Sequence, residues 1–66
     1  MKIEVEREDD QRWLAEAPAI PGALAYGESR AAAIAKVEAL VLRILADRLD
    51  HGEPAAEVEE VFTVNA

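Results

Sequence analysis

The chain has 66 residues and no cysteine, which excludes disulfides, cysteine-ligated zinc and thiol chemistry and leaves only a small core to stabilise the fold. Fourteen acidic residues against seven basic ones give a formal net charge of −7, so direct nucleic-acid binding is not expected. The N-terminus lacks an apolar signal-peptide core and no apolar run could span a bilayer, so we expect a single cytoplasmic domain over residues 1–66 without membrane contact.

The first predicted elements are the two strands of a hairpin. Ile3 and Val5 alternate with charged residues in the segment KIEVERE, which is the period-two pattern of a strand with one solvated face. The following DDQ is typical of a turn. A second strand is predicted over 12–17, with Trp13 on the same side as two alanines.

A connector rich in proline and glycine follows the hairpin. Pro18 and Pro21 have no backbone N–H to donate to a sheet, and Gly22 can adopt the positive φ that a turn after proline often needs. We therefore expect the segment PAIPG to turn the chain without helix. A short third strand is predicted in ALAYG, with Leu24 and Tyr26 on one face.

One long helix is predicted after this strand. Ser29 is a favourable N-cap, and the helical pattern continues to about Asp50, where Gly52 and Pro54 end it. At 1.5 Å per residue such a helix is about 33 Å long, which exceeds the roughly 20–23 Å of a six- or seven-residue strand. The helix is therefore expected to extend beyond its own sheet.

The helix carries two adjacent apolar arcs. The arc expected to pack on the sheet consists of Ala33, Val37, Leu40, Val41 and Ile44. The second arc consists of Ile34, Leu42, Leu45 and Leu49. Because one small sheet cannot cover both arcs, the second is predicted to be the interface of a homodimer or higher homo-oligomer.

The tail EVEEVFTV, residues 57–64, is predicted to form a fourth strand, with Val58, Phe62 and Val64 on one face. Whether this strand pairs within its own sheet or with a neighbouring chain is left open by the sequence. The resulting fold class is α+β, with a three-stranded antiparallel sheet, one long helix and a C-terminal fourth strand in the order β-β-β-α-β.

The sequence predicts no catalytic residue, metal ligand set or cofactor. Ser29 and His51 are the only serine and the only histidine, and they are expected at opposite ends of one helix, about 30 Å apart. A nucleophile and its base must lie about 3 Å apart. The chain is therefore not expected to be an enzyme, and the enzymatic alternative is a site assembled between subunits from His51 and acidic residues.

Four residues are candidates for contact with a partner. Asp9 and Asp10 lie in the hairpin turn, where they could engage basic groups, although acidic residues in turns are usually only solvated. Trp13 and Tyr26 are aromatic residues of the type enriched at interface hot spots. Packing against the core or a sheet face is the simpler interpretation of both.

The order of these features resembles the HicB-like antitoxin family over about residues 1–52. The resemblance depends on a proline-x-x-proline-glycine segment followed, five residues after its glycine, by glycine-x-serine at the start of an alanine-rich helix. The matching residues are Trp13, Pro18, Pro21, Gly22, Gly27, Ser29, Ala33 and Ile34.

The resemblance implies a partial double-stranded-RNA-binding-like fold that binds protein instead of RNA. It also implies the function of the family, whose members neutralise a small, basic HicA-like ribonuclease toxin of a type II toxin–antitoxin system by masking it. Members of the family assemble into dimers or higher oligomers. The chain departs from the family at Ala31 and Ala32, where acidic residues are usual. We expect a short, stand-alone member without the DNA-binding domain of longer relatives, or alternatively an oligomeric scaffold of the same fold with no cognate toxin.

Overall fold

The computed structural model of the protein describes residues 1–65. It confirms the α+β class: three strands form an antiparallel sheet in the order β1-β2-β3, and one long helix packs on one face of it. The elements are β1 (Glu4–Arg7), β2 (Trp13–Glu16), β3 (Leu24–Gly27), α1 (Arg30–Asp50) and a short 3-10 helix (Ala56–Glu60).

The hairpin between β1 and β2 closes through a tight turn in the acidic segment. The N–H of Glu8 donates to the carbonyl of Arg12 at 2.7 Å, and the N–H of Gln11 donates to the carbonyl of Glu8 at 3.1 Å. Gln11 adopts a φ of 75°, a left-handed conformation that glycine adopts at less cost. The turn fixes the register in which Val5 lies opposite Ala15.

The connector between β2 and β3 is a compact, hydrogen-bonded turn. The N–H of Ala17 donates to the carbonyl of Ala23 at 2.9 Å, and the N–H of Ala23 donates to the carbonyl of Ile20 at 3.0 Å. Gly22 takes the predicted positive φ, at 84°. The turn inserts Ile20, which is only 1% exposed, into the core. The connector therefore both reverses the chain and supplies a core residue.

The helix begins where β3 ends, and the two elements touch. A Cβ added at Gly27 would lie 2.4 Å from the backbone N of Ala33, so only glycine allows this approach. Ser29 is the predicted N-cap, and its Oγ accepts a hydrogen bond from the N–H of Ala32 at 3.0 Å. The first turn contains no acidic residue, so the Ser29 side chain caps the helix without that support.

The helix ends at Asp50, as the sequence predicts from Gly52. Gly52 adopts a φ of 70°, and its N–H donates to the carbonyl of Leu49 at 3.1 Å. The next N–H, of Glu53, donates to the carbonyl of Arg48 at 2.8 Å. These two bonds form a Schellman motif. No helix among residues 1–65 has the length and apolar character needed to cross a membrane.

The core between the sheet and the helix is small and rich in alanine. Two large side chains, those of Ile20 and Val37, are less than 2% exposed. Small side chains let the helix lie close to the sheet but bury little apolar area, and stability depends on that area. The buried core consists of Ala15, Ala17, Ile20, Ala23, Ala33, Val37, Val41 and Leu45.

The predicted fourth strand is wrong. Residues 56–60 form a 3-10 helix, and the N–H of Val61 donates to the carbonyl of Val58 at 2.9 Å. Val58 and Phe62 are four residues apart, a spacing that suits a helical turn as well as a strand face. In the 3-10 helix the half-buried Val58 packs against the core. This contact favours the helical turn over the predicted strand. Thr63, Val64 and Asn65 have no assigned regular structure.

A candidate protein-binding surface

The register of the three strands separates the sheet into two chemically different faces. The face under the helix carries the row Val5, Ala15 and Ala25 and the row Arg7, Trp13 and Gly27. The opposite face, here called the open face, is not covered by any element of residues 1–65. It consists of Glu4, Glu6, Leu14, Glu16, Leu24 and Tyr26.

The larger apolar side chains of β2 and β3 lie mainly on the open face. Leu24 is 45% exposed, Tyr26 is 40% exposed and Leu14 is half-buried. Leu14 lies directly opposite Tyr26 in the sheet. A solvated face of an antiparallel sheet is usually polar, so this apolar cluster is a candidate contact surface.

Carboxylates surround this apolar cluster. Glu4 lies directly opposite Glu16 across the β1–β2 pair, and like charges in this position destabilise a sheet. The Lys2 Nζ lies 3.8 Å from Glu4 Oε1, but Glu6 and Glu16 form no ion pair with any of residues 1–65. The open face therefore combines apolar surface with uncompensated negative charge.

The hairpin turn joins this face through Arg12. The Nε of Arg12 donates to Asp10 Oδ2 at 2.7 Å, and the same guanidinium lies 4.4 Å from the centre of the Tyr26 ring. The backbone N–H of Arg12 also donates to Asp10 Oδ1, and this bond, followed by the one from the side chain, holds the pKa of Asp10 below its ordinary value. The negative charge of the Asp10 carboxylate is thus partly balanced by Arg12 of the same chain.

The structure brings together three of the four predicted partner-binding residues. Asp9, Asp10 and Tyr26 line one shallow depression at the turn, together with Glu8 and Arg12. Trp13 does not join them, because its half-buried side chain lies on the helix side and packs against the core. The Arg7 guanidinium lies 6.0 Å from its ring centre.

The residues predicted to form an oligomer interface divide into exposed and covered ones. Leu42 and Leu49 are 61% and 52% exposed, and Ile34 is half-buried. Leu45 is only 5% exposed. It was expected on the free arc, but it belongs to the core of its own chain.

The groove above Leu45 is formed by the two ends of the chain. Met1, Ile3 and Val61 line it together with the helix. An ion pair between the N-terminal amino group and Glu60, at 3.5 Å, links these two ends. The sequence analysis expected a second subunit to cover Leu45, but Leu45 is already buried within its own chain.

The two residues considered for nucleophilic chemistry lie at opposite ends of α1. Ser29 caps its N-terminus, and His51 follows its C-terminus, with Nδ1 2.8 Å from the backbone carbonyl of Asp47. Residues 1–65 contain no group of three or more histidine, cysteine or acidic side chains placed to hold a metal ion.

The sequence prediction missed Leu14, Leu24 and the three glutamates as members of one surface. The alternation grouped Leu14 with Glu16 on one side of β2 and Leu24 with Tyr26 on one face of β3, but it did not say which side of these strands is solvated. What it lacked was the register that aligns the strands. The β1–β2 register depends on the turn at Gln11, whose positive φ is unusual for a residue other than glycine, and the β2–β3 register depends on the connector that turns at Gly22.

No protein-family model, curated protein or solved structure matches the chain. The resemblance to HicB-like antitoxins therefore stays a prediction from the sequence motif.

Proposed function

We propose that the protein is a HicB-like, antitoxin-type binding domain that neutralises a basic HicA-like ribonuclease by masking it, and that the open face of the sheet is its contact surface. The observation that carries this proposal is the placement of Leu14, Leu24 and Tyr26 on a face that no element of residues 1–65 covers, beside two glutamates that form no ion pair within those residues. The sequence motif, which resembles this family, supplies the class of partner.

The charge of the surface favours a basic protein over a nucleic acid. Glu4, Glu6 and Glu16 would repel phosphates, whereas the net charge of −7 attracts a cationic partner and steers its approach. Carboxylates that become buried in an interface need cationic groups opposite them, because an unpaired buried charge is strongly destabilising. Arginine or lysine side chains of a ribonuclease satisfy this requirement.

Masking follows from the chemistry that a ribonuclease needs. A protein that binds RNA presents basic groups to the phosphate backbone. An acidic sheet face that pairs with those groups occupies the surface that RNA would use. The apolar cluster then supplies the burial that drives association, while the glutamates provide rate and specificity.

The proposal is tested by searching the genes beside this one for a small, basic HicA-like protein and measuring its binding, in catalytically inactive form, by isothermal titration calorimetry. The variant Glu6→Gln/Glu16→Gln removes two charges from the open face. Because both carboxylates would lie against cationic groups of the partner, we expect the Kd to rise by about tenfold or more. Raising the salt concentration should weaken wild-type binding more than binding by this variant.

The matched control is Glu38→Gln/Glu53→Gln, which changes the net charge equally but at exposed positions on α1 and after its C-terminal end, away from the open face. This control should alter the Kd by less than about threefold. Equal effects of the two variants would mean that only total charge matters, and absence of any binding to the neighbouring gene product would remove the antitoxin proposal.

A second candidate function is a stand-alone oligomeric scaffold with no cognate toxin. The exposure of Leu42 and Leu49, two turns apart on α1, favours it. Sedimentation of the wild type and of Leu42→Ser/Leu49→Ser tests this candidate. An oligomer that the double substitution dissociates, together with no toxin-like neighbour, would support the scaffold over the antitoxin.

A further inference from the structure

The end of the described chain exposes an apolar segment suited to pairing in a sheet. In residues 61–64, with the sequence VFTV, Val61 is 62% exposed, Phe62 65% and Val64 88%. β-Branched and aromatic residues favour strands, yet this segment pairs with no strand of residues 1–65. Below, it is called the tail segment.

The two edges of the sheet differ in their protection against a further strand. The edge strand β1 carries Glu4, Glu6 and Arg7, and charged side chains discourage pairing of an edge with another chain. The other edge strand, β3, has the sequence LAYG and contains no charged residue and no proline. Leu24 and Tyr26 point their backbone groups away from β2: the N–H of Leu24 donates to the carbonyl of Gly22 at 3.1 Å, whereas the N–H of Tyr26 and both carbonyls form no backbone hydrogen bond within residues 1–65.

The tail segment begins at the wrong edge to reach β3 of its own chain. Val61 lies beside Met1 and Ile3, next to β1, and β3 is two strand spacings away, about 10 Å. The protein is also elongated. Its radius of gyration of 13.6 Å exceeds the roughly 11 Å expected for a compact chain of this length, and its longest dimension is 49 Å.

The absence of charge on both β3 and the tail segment makes a second copy of the chain a suitable occupant of the β3 edge. Two copies, each with a net charge of −7, repel one another, so a stable contact between them has to avoid carboxylates. The tail segment and β3 are both free of charge, and each is four residues long. We propose that the tail segment of each copy adds as a strand to the free edge of β3 in the other, forming a two-fold dimer.

The test combines sedimentation with amide hydrogen exchange measured by NMR on the full-length protein. At about 100 µM the wild type should be a dimer, and the Tyr26 amide, which points away from β2, should be protected. Phe62→Ser/Val64→Ser should raise the dimer Kd by about tenfold or more and remove that protection. Thr63→Ser, within the same segment, is the matched control and should change neither quantity.

Folding of the variants is checked by the far-ultraviolet circular dichroism of α1, because the substituted side chains are already exposed. A wild type that is monomeric at this concentration overturns the proposal. It is also overturned if the tail variant dimerises like the wild type, or if the Tyr26 amide exchanges equally fast in both proteins.

The salt dependence of binding distinguishes the proposed dimer from the proposed binding of a ribonuclease. Screening reduces repulsion between two acidic copies, so self-association should strengthen as salt rises, whereas binding of a basic ribonuclease should weaken. Failure of dimerisation would leave binding of the ribonuclease intact, and failure of that binding would leave the dimer.

Discussion

The two faces of the sheet invert the usual arrangement of a small α+β domain. Under the helix lie Ala15, Ala25 and Gly27, whereas Leu14 and Tyr26 lie on the open side. The small residues are explained by the approach of α1, which leaves no room for a Cβ at Gly27. No packing contact within the protomer explains the large side chains of Leu14 and Tyr26 on the open face in the same way. One face is therefore closely packed against the helix, whereas the other remains uncovered by any element of residues 1–65.

The largest expected effect comes from breaking the close packing. Gly27→Ala places a Cβ 2.4 Å from the backbone N and 2.8 Å from the Cα of Ala33, so the helix has to move. We expect a loss of about 3 kcal/mol or more in the free energy of unfolding, measured by urea denaturation.

Gly52→Ala is the control for this substitution. Its φ of 70° is unfavourable for alanine, but no atom lies within 4 Å of the added Cβ. It should cost only about 1 kcal/mol. A Gly27→Ala protein that is as stable as Gly52→Ala would show that the contact between β3 and α1 is looser than described.

Replacing one large apolar side chain by alanine in the covered core and one on the open face compares how much each region contributes to the free energy of unfolding. Val37→Ala, in the covered core, should cost about 2 kcal/mol because Val37 is fully buried. Leu24→Ala, on the open face, removes more atoms but should cost under about 1 kcal/mol, since Leu24 is 45% exposed. Both values come from urea denaturation, and a larger cost for Leu24→Ala would mean that the open face contributes to the core.

The sequence was sufficient to predict the elements whose signals are local. The Ser29 cap, the helix end at Gly52 and the turn at Gly22 all appear where they were predicted. The fourth strand failed because Val58 and Phe62 have a spacing that fits both a strand and a helical turn. Leu45 was assigned to a free arc, but it is only 5% exposed and belongs to a core against which Ile3 and Val58 pack, and helical periodicity does not reveal these contacts. The first error is a local ambiguity of spacing, and the second concerns contacts between distant parts of the chain.

A smaller effect is expected at the helix N-terminus, which joins the covered face to α1. Ser29→Ala removes the hydrogen bond to the N–H of Ala32 and should cost about 1 kcal/mol in thermal or urea unfolding. Ser29→Asp should retain the wild-type stability or increase it, because an acidic cap interacts favourably with the helix dipole. Equal losses in both variants would argue against capping.

The smallest effect concerns the turn beside the open face. The pKa of Asp10 is lowered in the folded protein by the N–H and guanidinium of Arg12. Its contribution to stability is therefore present above the unfolded pKa of about 3.9 and is lost as the pH falls through the lower folded value. Asp10→Asn should flatten the decrease in thermal stability across this acidic range. An unchanged pH profile would contradict the pairing of Asp10 with Arg12.

The most direct test of the open face as the contact surface is NMR mapping with the proposed partner, a small, basic HicA-like protein in inactive form. On titration, the backbone signals of Glu6, Leu14 and Tyr26 should shift or broaden, while those of Leu42 and Leu49 stay in place. Changes confined to the helix residues, or no change at saturating ribonuclease, would contradict the account.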